Sequence, residues 1–165
     1  MFFSCYSQKN SVADLQKNGV LKSEGVTVLV NDYEGGMKHE KAKPRIVDDP
    51  SDENQKCIEV TTNADFENNY DAQLFIVSDE PFKKGEYIKF SVQVKADVMQ
   101  LFSMDIHSSP GEYVMPLGSS LILPQWYLME KSFVVEESNL RTIALNLSSV
   151  KSGNNCYYRE IYLVS

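Results

Sequence analysis

Gly85-Glu86-Tyr87-Ile88-Lys89-Phe90-Ser91-Val92-Gln93-Val94-Lys95-Ala96-Asp97 sets apolar residues on every second position between a turn glycine and a turn aspartate. That period of two is the signature of a strand with two unlike faces. Ile88, Phe90, Val92 and Val94 point into a core, and Lys89, Ser91, Gln93 and Lys95 point the other way. Burial on one face only is what an antiparallel sheet in a sandwich requires. Working outward, Val26 to Val30, Lys56 to Thr61, Asn68 to Val77, Met99 to His107, Trp126 to Val135, Arg141 to Leu147 and Tyr157 to Val164 read as further strands. Turn-rich stretches separate them, at Asn31 to Gly36, Asp48 to Asn54 and Ser108 to Gly111. Met37 to Ile46 reads as a charged loop. No segment has the 3.6 period of a strong helix, so the fold class is all-β, a two-sheet antiparallel β-sandwich.

The 165 residues are 42% hydrophobic and 11% aromatic, enough for one domain with its own core. A net charge of −7 without a cluster of Lys and Arg argues against nucleic acid or an anionic membrane as partner. No apolar run is long enough for a transmembrane helix. Residues 1–25 read as an N-terminal signal remnant or linker, with at most a loosely docked arm, and 26–165 as the sandwich. Met1-Phe2-Phe3-Ser4-Cys5 resembles the end of a lipoprotein signal, which makes Cys5 a candidate lipid anchor on an extracellular or cell-surface protein.

No catalytic constellation is marked. The two histidines, His39 and His107, lie far apart, and the three cysteines make no CxxC unit, which disfavours zinc. Gly35-Gly36 lacks the lysine and helix of a phosphate loop. The distinctive signal is on the polar side of the strands. Gln73, Ser103, Asp105, His107, Thr142 and Asn146 place amides, hydroxyls and an imidazole where a plain solvent face would carry Lys and Glu. Such a face can hydrogen-bond sugar hydroxyls, with Tyr70, Tyr113 and Trp126 as candidate stacking platforms. For Trp126 packing is the better reading. For Tyr113, lodged after the Pro110-Gly111 turn, ligand contact is.

The order of motifs resembles the β-jelly-roll carbohydrate-binding modules of families four, nine and twenty-two, especially those attached to bacterial xylanases. The pieces are Val30 to Gly35, Val47 to Asp52, Tyr70 to Ile76, Gly85 to Asp97, His107 to Tyr113, Trp126-Tyr127, Thr142 to Leu147 and Tyr157 to Ile161. The resemblance implies a jelly roll whose concave sheet binds a β-1,4-linked glycan such as xylan or β-glucan without cleaving it. Carried over by position, the ligand-binding residues are Gln73, Ser103, Asp105, His107, Tyr113, Thr142 and Asn146. The implied partners are a polysaccharide or oligosaccharide and a covalently linked glycoside hydrolase. The alternative is a jelly roll that docks on a protein and binds no sugar. An enzyme ranks third, because glycan hydrolysis needs two facing carboxylates and only Asp105 is a credible cleft acid.

Many members of these families end with an Asp-Asp pair whose first member helps hold calcium; here the pair reads Arg159-Glu160. A guanidinium cannot ligate a cation. No cofactor is therefore expected, and no calcium at that position, with an oxygen site at Glu34 or in the Asp48 to Asp52 loop left open. Arg159, counted in phase with Ile161 and Leu163, is expected to run along the core edge and meet an oxygen of the first turn, Glu34 being the best candidate. By the same counting Cys57 and Cys156 both point outward on strands a jelly roll often sets side by side, which allows a cross-strand disulfide.

Overall fold

The computed structural model describes residues 15–32, 42–62, 68, 70, 72–146 and 154–165. Ten strands follow in order: β1 (Val26–Asp32), β2 (Ala42–Asp49), β3 (Asp52–Thr62), β4 (Ala72–Ser78), β5 (Tyr87–Ala96), β6 (Gln100–His107), β7 (Tyr113–Ile122), β8 (Tyr127–Val134), β9 (Thr142–Asn146) and β10 (Asn155–Val164). They form two five-stranded sheets, β1-β4-β9-β6-β7 and β2-β3-β10-β5-β8, in which every pair of neighbours is antiparallel. The two-sheet antiparallel sandwich expected from the alternation is the fold, and it is the jelly roll that the resemblance implies.

The main core fills the space between the sheets. Ile88, Phe90, Val92 and Val94 of β5 lie in it with Leu74 and Ile76 of β4, Phe102, Met104 and Ile106 of β6, Ile143 and Leu145 of β9 and Tyr158 of β10. Each strand contributes alternate residues, as the period of two demands.

Three stretches depart from the sequence reading. Residues 1–25 were expected to form a signal remnant, linker or loose arm, yet from Leu15 onward the chain is part of the sandwich. Leu15, Val20 and Leu21 join the core, the Ile161 N–H donates to the Val20 carbonyl at 2.8 Å, and the Lys22 N–H donates to the Ile161 carbonyl at 2.8 Å. Ser23 Oγ also donates to the Leu163 carbonyl at 2.9 Å. Residues 1–14, Cys5 among them, lie outside the described residues. The second departure is β2, which claims residues 42–46 of the expected loop. The third is β7, ten residues long, where the sequence shows only Tyr113 and Val114 before an irregular stretch. Pro116 and Gly118 break its apolar alternation, which an edge strand tolerates, and its register with β6 slips at Met104/Asp105 and at Ile106/His107.

A further slip lies in β10. Arg159 faces Gln93 and Tyr162 faces Ser91, so three steps along β10 match two along β5. Glu160, at φ 50°, supplies the extra residue of this bulge. One added residue inverts the phase. Cys156 and Tyr158 therefore share the core face with Ile161 and Leu163, while Tyr157 and Arg159 turn to the outer face. Cys156 sits in the core, and Cys57, whose neighbours Ile58 and Val60 occupy the core, is buried on the opposite face. Both are free thiols, so the cross-strand disulfide that the counting allowed is not formed. Burial pushes each thiol up to about 12.

Arg159 accordingly does not follow the core edge as counted. Its Nη1 pairs with Asp49 Oδ2, its Nε donates to Gln93 Oε1 at 2.7 Å, and its guanidinium lies over the Trp126 ring, 4.2 Å from the centroid. Trp126 Nε1 in turn donates to Asp49 Oδ1 at 3.0 Å and to Ser51 Oγ at 2.9 Å. The oxygen partner comes from the β2–β3 turn, not from the first turn; Glu34 lies outside the described residues. Burial, the largest single influence, raises the Asp49 pKa, but the Ser51 hydroxyl and amide, Trp126 and Arg159 together hold it below the ordinary carboxylate value. The acids of this turn already have partners within the chain. Asp49 is spent on these donors, Asp48 pairs with Lys56, and Asp52 Oδ1 accepts from the Asn54 amide at 3.0 Å.

Candidate functional site

Antiparallel register brings residues from four strands of the β1-β4-β9-β6-β7 sheet into three rows on its outer face. Gln73, Asn146, Ser103 and Ser119 make one row; Phe75, Ala144, Asp105 and Pro116 the next; Val77, Thr142, His107 and Tyr113 the third. The rows arise because Gln73, Phe75 and Val77 on β4, Thr142, Ala144 and Asn146 on β9, and Ser103, Asp105 and His107 on β6 each alternate with core residues. A cleft of about 800 Å³ opens over them, lined by Gln73, Ser103, Asp105, His107 and Tyr113 together with Tyr70, Met104, Gly111, Pro116, Gly118 and Ser119. That size is typical of a small-molecule or oligomer site.

Asn146 holds the first two rows together from below. It is 1% exposed, accepts from Gln73 Nε2 at 2.6 Å, and donates from Nδ2 to Ser103 Oγ and to Asp105 Oδ2, both at 2.8 Å. Its three partners line the cleft, Ser103 and Asp105 partly exposed and Gln73 buried, so it fixes them without lining the cleft itself. Gln73 Oε1 is left buried with no partner.

His107 closes the third row. It is 2% exposed, between the Phe75 ring at 5.7 Å and the Tyr113 ring at 6.0 Å, the latter edge-on. Neither ring nitrogen has a hydrogen-bond partner of good geometry. Burial drives its pKa below the ordinary histidine value, against smaller upward pulls from the Asp105 carboxylate and the Ser109 main chain. Thr142, directly across from His107, is fully buried, and its hydroxyl is likewise unpartnered. Of the seven site residues expected from sequence, five line the cleft, while Asn146 lies under it and Thr142 is sealed beside it.

Tyr113 owes its position to the turn before it. The Glu112 N–H donates to the Ser109 carbonyl at 2.9 Å, and Gly111, at φ 89°, takes the left-handed position of a type II turn that begins Ser109-Pro110. The turn lifts Tyr113 to the rim, where it is 58% exposed. Tyr70, 52% exposed, stands at the rim as well. Trp126 is not part of this face, since it belongs to the Arg159 cluster on the other sheet. The lining by Gly118, Pro116 and Ser119 was not anticipated, because β7 itself was not; its one sequence signal is the Ser119-Ser120 pair between two apolar flanks.

No family model matches the sequence, and no curated protein does. Solved structures do. A family-four carbohydrate-binding module, CBM4, superposes with TM-score 0.59 at 10% identity, over 83% of this chain and 85% of that one. The N-terminal CBM22-1–GH10 modules of Clostridium thermocellum endo-1,4-β-D-xylanase 10B, solved with xylohexaose, match with TM-score 0.58 at 11% identity over 85% of this chain, which spans only 26% of that molecule. The N-terminal cellulose-binding domain of Cellulomonas fimi β-1,4-glucanase C matches with TM-score 0.53 at 11% identity, over 84% of this chain and 88% of that one. In fold, the chain is a jelly-roll sandwich of the kind built by carbohydrate-binding modules of families four and twenty-two.

Proposed function

We propose that this chain is a non-catalytic glycan-binding module that takes a β-1,4-linked polysaccharide, of the xylan or β-glucan type, in the cleft over β4, β9, β6 and β7. The observation that carries the reading is a cleft whose floor presents the partly exposed Ser103 and Asp105 with the exposed Ser119, and whose rim carries the exposed Tyr70 and Tyr113. Sugar hydroxyls supply donors and acceptors to such a floor, and Tyr113 and Tyr70 offer flat apolar surface to pyranose rings. The fold neighbours add that xylohexaose and cellulose are among the ligands named for this architecture.

Binding without cleavage fits the lining. Among the described residues that line the cleft, Asp105 is the one carboxylate, whereas glycoside hydrolysis ordinarily uses two. A linked glycoside hydrolase and display outside the cell, with Cys5 as lipid anchor, complete the proposal; the fold neighbours include modules joined to a xylanase. Affinity electrophoresis in native gels containing soluble xylan, β-glucan or mannan tests it. At least one polymer should retard the protein, and unaltered migration in all of them would refute the reading.

A further inference from the structure

The hydrogen-bond direction of the cleft floor is set by one charge. Asp105 as a carboxylate only accepts, so the Asn146 amide must turn its NH₂ towards it, as the 2.8 Å contact shows. Asn146 Oδ1 then faces Gln73, which must present its own NH₂, at 2.6 Å. The consequence is that Gln73 Oε1, an acceptor, is left unpartnered and buried at the edge of the floor. Ser103 Oγ accepts from Asn146, which leaves its hydroxyl hydrogen to donate outward. Asn146, 1% exposed, has no room to relax this order by turning to solvent.

Charge points the same way. The described lining residues include Asp105 and neither Lys nor Arg. Glu112, in the turn that carries Tyr113, accepts from Ser108 Oγ at 2.8 Å, and hydrogen bonds from Ser109 and Ser108 hold its carboxyl below the usual range. Among the described lining residues, His107 is the one group able to become cationic. Its burial disfavours that form.

Resting on the glycan-binding reading above, we propose that the cleft selects uncharged sugar units and rejects uronic acids, with Asn146 fixing the acceptor-rich floor and Asp105 supplying the repulsion. A sugar hydroxyl both donates and accepts, so it satisfies Asp105, which is partly exposed, from one side and Ser103 from the other. A uronate carboxylate only accepts. It would face acceptors and a like charge in a partly desolvated site, which penalises it more than bulk water would.

The test compares matched probes by calorimetry: cellohexaose against the same chain with its C6 alcohols oxidised to carboxylates, and xylo-oligosaccharides with and without glucuronic acid branches. In low salt the uncharged member of the pair that binds should be favoured by about tenfold or more. Salt at 0.5 M should narrow the gap, because screening weakens the repulsion. Asp105→Asn should narrow it in low salt. Equal or tighter binding of the charged member overturns the proposal, as does a gap that neither salt nor Asp105→Asn changes, since that gap would be steric. The salt series on the unaltered protein decides the matter even if Asp105→Asn folds poorly. If no member of either pair binds, the glycan reading fails and takes this inference with it.

Discussion

Asp49, on the outer side of the β2-β3-β10-β5-β8 sheet, has both carboxylate oxygens engaged by Arg159, Trp126 and Ser51. On the outer side of the other sheet, Gln73 Oε1 and both His107 nitrogens lack a partner of good geometry, although these residues are just as buried. Both faces hold a buried cluster of polar and aromatic side chains. One is satisfied from within the chain and serves stability; the other is left with polar atoms unanswered by the chain. Composition does not separate them, since each contains amides, a carboxylate and aromatic rings. What separates them is which hydrogen bonds remain to be made.

The largest effect expected from breaking this contrast is at Arg159. Its side chain is 16% exposed and that of Asp49 is fully buried, so Arg159→Ala leaves an unpaired buried carboxylate and should cost about 3–5 kcal/mol in denaturant unfolding. Arg159→Lys should recover only part, because an ammonium cannot serve Asp49 and Gln93 as a planar fork does. Glycan affinity of the folded protein should stay unchanged, and EDTA should not lower the melting temperature. A loss of binding at constant fold would show that the two faces are not independent.

Asn146→Ala should cost about 2–3 kcal/mol of stability, because three partners lose their bonds to it, and it should weaken glycan binding as well. Coupled losses in unfolding and calorimetry would mark Asn146 as the positioning residue under the cleft. Tyr113→Ala should do the reverse of Arg159→Ala. Binding should weaken by about 1–3 kcal/mol through lost stacking, with stability within about 0.5 kcal/mol, since the ring is exposed. An affinity equal to the unaltered protein's would remove Tyr113 from the site.

The smallest effect concerns pH. The folded pKa of His107 is depressed below 6.5, so the unfolded chain takes up this proton first as pH falls. The stability from burying neutral imidazole is complete above about pH 6.5 and is lost as pH falls through the folded value. Melting curves between pH 7.5 and 5 should therefore slope more steeply for the unaltered protein than for His107→Gln. Parallel curves would mean that His107 is reached by protons without strain and is less sealed than its burial indicates.

Much of this could be read along the chain. The alternation in β5 and β6 placed Phe90, Val92, Phe102 and Met104 in the core and Ser103, Asp105 and His107 on the opposite face, and it did so because a strand's side chains alternate strictly. The strand β7 escaped notice because Pro116 and Gly118 interrupt that alternation at an edge where nothing requires it. Residues 15–25 escaped because their anchors, Ile161 and Leu163, are some 140 positions away, the Ser23 to Leu163 separation.

The sequence by itself determined that this is a β-sandwich and, along strands such as β5 and β6, which residues enter its core and which face is polar, since these follow from local period and turn chemistry. Only the tertiary structure decided three further matters. The bulge at Glu160 turned Arg159 outward to Asp49, 110 positions away, and separated Cys57 from Cys156. Cross-strand pairing put Asn146 under Ser103 and Asp105 and so oriented the floor of the cleft. The packing around His107 and Thr142 then settled which polar atoms go unanswered. The physical reason is that a period of two carries no memory across a bulge, and a hydrogen-bond partner is chosen by proximity in space, which strand register creates and local sequence does not encode.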